Sequence, residues 1–203
     1  IFLDHGMIVD SMTGWKTAVC RLADVPLRGE HNVMNVLAAV AAARVLRIPT
    51  KVIARAIKSF QGVPGRLELI RQWHGINFYN DTTATAPVAS VAALNSFDKP
   101  VVLIAGGADK RLPYAALARA IRRKVTSLIL LPGGATERLV RELRKIHFTR
   151  YRRSRSMAAA VRQAVAADQQ ACPILLSPGA ASFGLFLNEF DRGNQFIKSV
   201  KKL

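Results

Sequence analysis

Apolar and polar positions follow two rhythms along this chain, and the change falls at Gly62-Val63-Pro64-Gly65. Before it, Ile1-Phe2-Leu3 and Met7-Ile8-Val9 flank Asp4-His5-Gly6, a pattern that predicts a hairpin, with a further strand at 18–22. Gly29-Glu30-His31-Asn32 then introduces a helix whose Val33, Val36, Leu37, Val40, Ala41 and Leu46 recur at helical spacing. A second helix, with Thr50 as its cap, carries Val52, Ile53, Ala56, Ile57 and Phe60 until the Gly/Pro segment stops it. That segment sets a domain boundary, with 1–62 on one side and 63–203 on the other. Beyond it, strands and helices alternate: strands 67–73 and 76–79, helix 87–97, strand 100–105, helix 112–123, strand 126–131, helices 135–145 and 155–168, strand 172–176 and helix 182–200. Such alternation predicts an α/β fold, a mainly parallel sheet with helices on both faces.

In sheets of this kind the residues that follow the strands collect at one edge, where ligands bind. Four junctions here are small or polar: Asp81-Thr82-Thr83, Gly106-Gly107-Ala108-Asp109-Lys110, Pro132-Gly133-Gly134 and Ser177-Pro178-Gly179-Ala180-Ala181-Ser182. The first ends an apolar strand in a carboxylate and hydroxyls, then starts a helix at Pro87, with Thr85 placed to cap it. A helix start at a strand end favours an anion, although an ordinary capped turn explains the same residues. Gly106 and Gly107 allow close backbone approach, and Lys110 offers a point charge for a carboxylate or phosphate. Ser182, at the predicted start of the last helix, reads either as an anion ligand or as a plain cap.

Composition narrows the picture. The chain has 203 residues, half of them hydrophobic, enough for a sizeable core. No apolar run is long enough to span a bilayer, and the expectation is a cytoplasmic protein without membrane insertion. Cys20 and Cys172 form no CxxC pair, and His5, His31, His74 and His147 are scattered, so neither a disulfide framework nor a metal site is expected. Thirty Lys and Arg against 13 Asp and Glu give a formal charge of +17. Arg150-Tyr151-Arg152-Arg153 has the look of a nucleic-acid patch, but no nucleic-acid-binding motif accompanies it, and the expectation is solvated surface and no nucleic-acid partner.

Read in order, the segments resemble the Mur ligase family. The matching stretches are Leu27-Arg28-Gly29-Glu30-His31-Asn32-Val33-Met34-Asn35, Phe60-Gln61-Gly62-Val63-Pro64-Gly65-Arg66-Leu67-Glu68, Asn80-Asp81-Thr82-Thr83-Ala84-Thr85, Ala105-Gly106-Gly107-Ala108-Asp109-Lys110 and Ser177-Pro178-Gly179-Ala180-Ala181-Ser182-Phe183, running on to Asn188 and Arg192-Gly193. The resemblance implies the carboxy-terminal part of a three-domain ligase: a remnant of a central ATPase α/β domain over 1–62, then a complete Rossmann-like domain over 63–203. It implies ATP and magnesium as cofactors and, from the Asp-x-x-Ala-Thr and Ser-Pro-x-x-Ala-Ser-Phe forms, D-glutamate and UDP-N-acetylmuramoyl-L-alanine as substrates joined through an acyl phosphate. No Gly-x-x-Gly-Lys-Thr/Ser phosphate loop occurs, so the isolated chain is expected to be inactive and no catalytic residue is assigned.

By the same resemblance Asn35, Arg66 and Asp81 hold ATP, while Thr85, Lys110, Ser182 and Phe183 hold D-glutamate. The chain departs from the family pattern at Thr83, where a lysine is usual, at Gly65 for a histidine, at Ala86 for an asparagine and at Glu189 for an aromatic. A ligase of the same superfamily with another amino acid as substrate and a basic binding module for nucleic acid are the alternatives.

Overall fold

The computed structural model describes residues 1–168 and 171–203. They divide into two compact units, Ile1–Gly62 and Val63–Leu203. In the first, β1 (Phe2–Asp4), β2 (Met7–Asp10) and β3 (Thr17–Arg21) form an antiparallel sheet in that order. His5 and Gly6, at φ 44° and 78°, make a two-residue turn whose left-handed backbone conformation matches the right-handed twist of the flanking strands. Helices α1 (Glu30–Val45) and α2 (Thr50–Ser59) bury Val36, Val40 and Ile53 with Ile8, Val19 and Cys20. Thr50 is the first residue of α2, and its hydroxyl caps nothing, because Pro49 already holds the extended conformation before the first turn. Asp10 and Arg44 pair at 2.6 Å, and the Met12 N–H followed by the guanidinium holds the Asp10 carboxyl below its ordinary range.

The second unit is a six-stranded sheet in the order β4-β5-β9-β6-β7-β8, formed by β4 (Glu68–Trp73), β5 (Ile76–Asn80), β6 (Val101–Ala105), β7 (Val125–Leu130), β8 (Tyr151–Arg153) and β9 (Ile174–Leu176). Only the β4–β5 pair is antiparallel. Alternate strand residues face opposite ways, so Val101, Leu103 and Ala105 pack under α3 (Pro87–Asn95), α4 (Ala115–Lys124) and α5 (Gly134–Lys145), while Val102 and Ile104 pack under α6 (Met157–Ala167) and α7 (Glu189–Lys201). Helices therefore cover both faces.

Strand β8 lies between the helices expected at 135–145 and 155–168, where the sequence predicted no strand. Ile129 pairs with Arg152 and Leu130 with Arg153, so an arginine-rich segment closes the sheet edge, where side chains can remain in water. The last helix also differs. It starts at Glu189, not at 182, because Gly184 turns the chain at φ 92° and Asn188 caps the helix by accepting from the Asp191 N–H at 2.9 Å. No helix among the described residues is long and apolar enough to cross a membrane.

Candidate functional site

The carboxyl ends of β5, β9 and β6 are neighbours in the sheet, and their loops bring the second unit's polar junctions together. After β5, Asp81 is almost fully enclosed. Its Oδ1 accepts the Leu67 N–H at 3.2 Å and its Oδ2 accepts the Ser177 hydroxyl at 2.7 Å, tying the segment before β4 to the loop after β9. Burial pushes its carboxyl up to about 6, against the opposing pull of the Ser177 hydroxyl, the Leu67 N–H and the Arg66 charge. Ser90, in α3, donates to the Ser177 carbonyl at 3.0 Å, so the helix is fastened to the same network. Thr83 reinforces the tie: its N–H and its hydroxyl both donate to the Gly65 carbonyl, at 3.1 and 2.9 Å.

Thr85 does not cap α3. Ala86 occupies the cap position without a side-chain bond, and the Thr85 hydroxyl instead accepts from Lys110 Nζ at 3.1 Å. A threonine after β5 and a lysine after β6 are thus held as a pair. The Lys110 loop is joined to the Ser182 loop by an antiparallel bridge, with the Ala108 N–H donating to the Ala181 carbonyl at 2.9 Å. Close approach is possible because Gly107, at φ 144°, has no Cβ; a methyl there would run into the Ala181 carbonyl oxygen. Ser182 itself is buried in the loop before α7, and its hydroxyl has no partner among the described residues. Phe183, next to it, is exposed. A cation, an unused hydroxyl and an aromatic ring on two bridged loops suit a small ligand bearing carboxylates.

Arg192 was singled out in sequence only as part of the closing Arg-Gly motif, yet it organises this edge. It is completely buried in α7, and it donates to Thr82 Oγ1 at 3.1 Å, the Thr82 carbonyl at 2.7 Å and the Ala180 carbonyl at 3.0 Å. Burial lowers its pKa to about 10, which still leaves it charged at neutral pH. Gly193 is small for a related reason, since a Cβ would stand 2.8 Å from Thr82 Cγ2. The only signal in the sequence is a positive residue inside an otherwise amphipathic helix.

The residues expected at a nucleotide belong to both units. Arg66 is exposed just before β4, and its charge acts on Asp81. Asn35 lies exposed on α1 of the first unit, where its amide meets Asn32 Oδ1 at 3.4 Å. Exposed guanidinium and amide groups fit a nucleotide, and each Asp81 oxygen keeps a second lone pair beyond the bond that it already accepts. For a metal the fit fails: among the described residues no group of three His, Cys, Asp or Glu could hold one.

Comparison with known proteins agrees with this architecture. Residues 65–179 match the Mur ligase, glutamate ligase domain. The UDP-N-acetylmuramoylalanine–D-glutamate ligase of Roseiflexus sp. (strain RS-1) is 44% identical, covering 93% of this chain and 41% of its own length. That of Caldicellulosiruptor saccharolyticus is 34% identical, over 100% of this chain and 45% of its own. The chain thus spans less than half the length of these curated relatives. Among solved structures, a pseudomurein peptide ligase type C from Methanothermus fervidus superposes with a TM-score of 0.66 at 17% identity, covering 98% of this chain and 40% of that one. The UDP-N-acetylmuramate-alanine ligase from Thermotoga maritima gives 0.64 at 14%, over 87% and 39%. With a family domain filling most of the second unit and relatives aligned along nearly the whole sequence, the chain belongs to the Mur ligase family.

Proposed function

We propose that this chain is the carboxy-terminal part of an ATP-dependent ligase that adds D-glutamate to UDP-N-acetylmuramoyl-L-alanine in the cytoplasmic synthesis of peptidoglycan precursors. The first unit is then the end of the central ATP-binding domain and the second the complete glutamate ligase domain. The observation that carries this reading is the Lys110–Thr85 pair, its lysine on a loop bridged to the one that holds the unpartnered Ser182 hydroxyl, in a sequence 44% identical to a ligase named for D-glutamate.

Lys110 neutralises one carboxylate of D-glutamate, Ser182 donates to a carboxylate oxygen, Thr85 holds the lysine in place, and Phe183 covers the aliphatic part. Asn35, Arg66 and Asp81 bind the nucleotide. ATP supplies the phosphoryl group that activates the carboxylate of the UDP-linked alanine as an acyl phosphate, and the amine of D-glutamate displaces phosphate to form the amide. Magnesium enters as the counter-ion of the nucleotide, and no step on this chain runs through it. The Thr83, Ala86 and Glu189 departures favour one second reading, a ligase of this family that takes another amino acid.

Fused to the amino-terminal half of the Roseiflexus relative, the chain should form product with D-glutamate, and Lys110→Ala and Ser182→Ala should raise the KM for D-glutamate more than that for ATP. A charge-assisted hydrogen bond contributes about 1.5 to 3 kcal/mol, which corresponds to roughly a ten- to hundred-fold rise. Equal weakening toward all three substrates would refute the assignment, and turnover of another amino acid in preference to D-glutamate would support the second reading.

A further inference from the structure

The positive charge of the second unit is concentrated at one end of its sheet. Between Arg119 and Arg162 stand thirteen Lys and Arg against two Glu, and eleven of the thirteen are arginines. This stretch comprises most of α4, then β7, α5, β8 and the first half of α6. No large hydrophobic side chain is exposed along it, so nothing there is suited to insertion into a lipid surface. Arginine's planar fork and the absence of apolar anchors both favour phosphate chemistry.

Within this field the segment that leads into α4 and one face of α5 enclose an open cavity of about 310 Å³. Pro113 and Tyr114 form one wall, and the Tyr114 hydroxyl is fixed by donation to the Gly179 carbonyl at 3.1 Å. Arg138, Arg141 and Lys145 line the other, successive turns apart on one face of α5. Lys145 pairs with Glu142 at 2.7 Å, and Arg138 Nε pairs with Asp109 Oδ2 at 2.6 Å. Arg141 has no ion-pair partner among the described residues and is exposed to the cavity mouth. Three cations therefore face one cavity: Arg138 and Lys145 each share their charge with one carboxylate, Asp109 and Glu142, and Arg141 keeps its own.

We propose that this cavity is a binding site for a small, multiply charged phosphate anion, with pyrophosphate as its simplest member. Arg141 and Lys145 hold the ligand and Arg138 is the third cation. Residues 138 and 145 are about 10 Å apart along the helix axis, too far for one carboxylate to bridge, whereas long side chains converging on two linked phosphates can engage both. The surrounding arginines raise the local anion concentration. An anion also competes with Asp109 for Arg138, and Asp109 precedes Lys110 in the loop that carries the candidate D-glutamate site. Occupancy of the cavity is thereby linked to the position of that loop. The site itself does not depend on which reaction the ligase catalyses.

Titration calorimetry of the 203-residue chain with pyrophosphate tests this, at about 0.15 M salt, where charges more than about 8 Å apart are largely screened. Saturable binding is expected. Arg141→Ala and Lys145→Ala should each weaken it at least tenfold, while Arg152→Ala, which removes an equal charge from the β8 edge outside the cavity, should change it less than twofold. Arg141→Lys, which keeps the charge and loses the fork, should fall between. Absence of saturable binding would overturn the proposal. So would equal losses in all the alanine variants, which describe a diffuse field, or capture of a single-stranded oligonucleotide by a chain that ignores pyrophosphate.

Discussion

Asp81 shows how a single carboxylate can join three segments and make the junction respond to pH. Its folded-state pKa, about 6, is raised above the ordinary 3.8 by burial, so the folded protein takes up a proton before the unfolded chain does. The sign follows directly: its contribution favours folding below pH 4 and is lost as pH rises through 6. The stability difference between the wild type and Asp81→Asn should therefore shift against the wild type across that window, by at most about 3 kcal/mol. Urea unfolding of both proteins at pH 4 and pH 7 measures it, and a difference independent of pH would contradict the burial account. Arg192 poses the opposite case, a buried cation held by oxygen dipoles, with the Glu189 charge as its further support. Replacing it with Met should cost about 3 kcal/mol or more, since two carbonyls and a hydroxyl lose their donor; a stability unchanged in urea would show that water replaces it. The sequence displayed both residues within recognisable motifs, but their inward direction was not legible, because burial depends on which loops the sheet brings together.

Helix starts expose the same difficulty at the level of elements. Thr50, Thr85 and Ser182 each stand where local propensity allows a cap, yet none of the three hydroxyls caps a helix; Ser156 and Asn188 do. Asn188→Ala should lower stability by about 1 kcal/mol, whereas Ser182→Ala should leave the melting temperature nearly unchanged. A larger loss from Ser182→Ala would make that serine structural. Strand β8 escaped sequence reading because only Tyr151 of its three residues turns partly inward, so no apolar alternation survives at an edge. Buried strands such as Val101–Ala105, apolar at every position, were legible for the converse reason: both of their faces are covered.

At the scale of the molecule, the alternation of strands and helices announced a parallel sheet, but not the order of its strands. Periodicity is local, while order is decided by connections that cross the sheet. The break near Gly62 coincides with the limit between the two compact units, and limited proteolysis should cut there and leave a stable fragment beginning near Arg66. A chain that resists cleavage at 60–66, or is degraded without leaving that fragment, would contradict independent folding of the second unit. The order of the strands also has a consequence for biosynthesis. Strand β9 lies between β5 and β6 although it is made about ninety residues after the first and about seventy after the second, so on the ribosome two hydrophobic strands remain without their shared partner until Ile174–Leu176 has emerged. A nascent chain halted before Ile174 would present both bare edges to its neighbours, which makes β9 the strand whose timely arrival separates folding from aggregation.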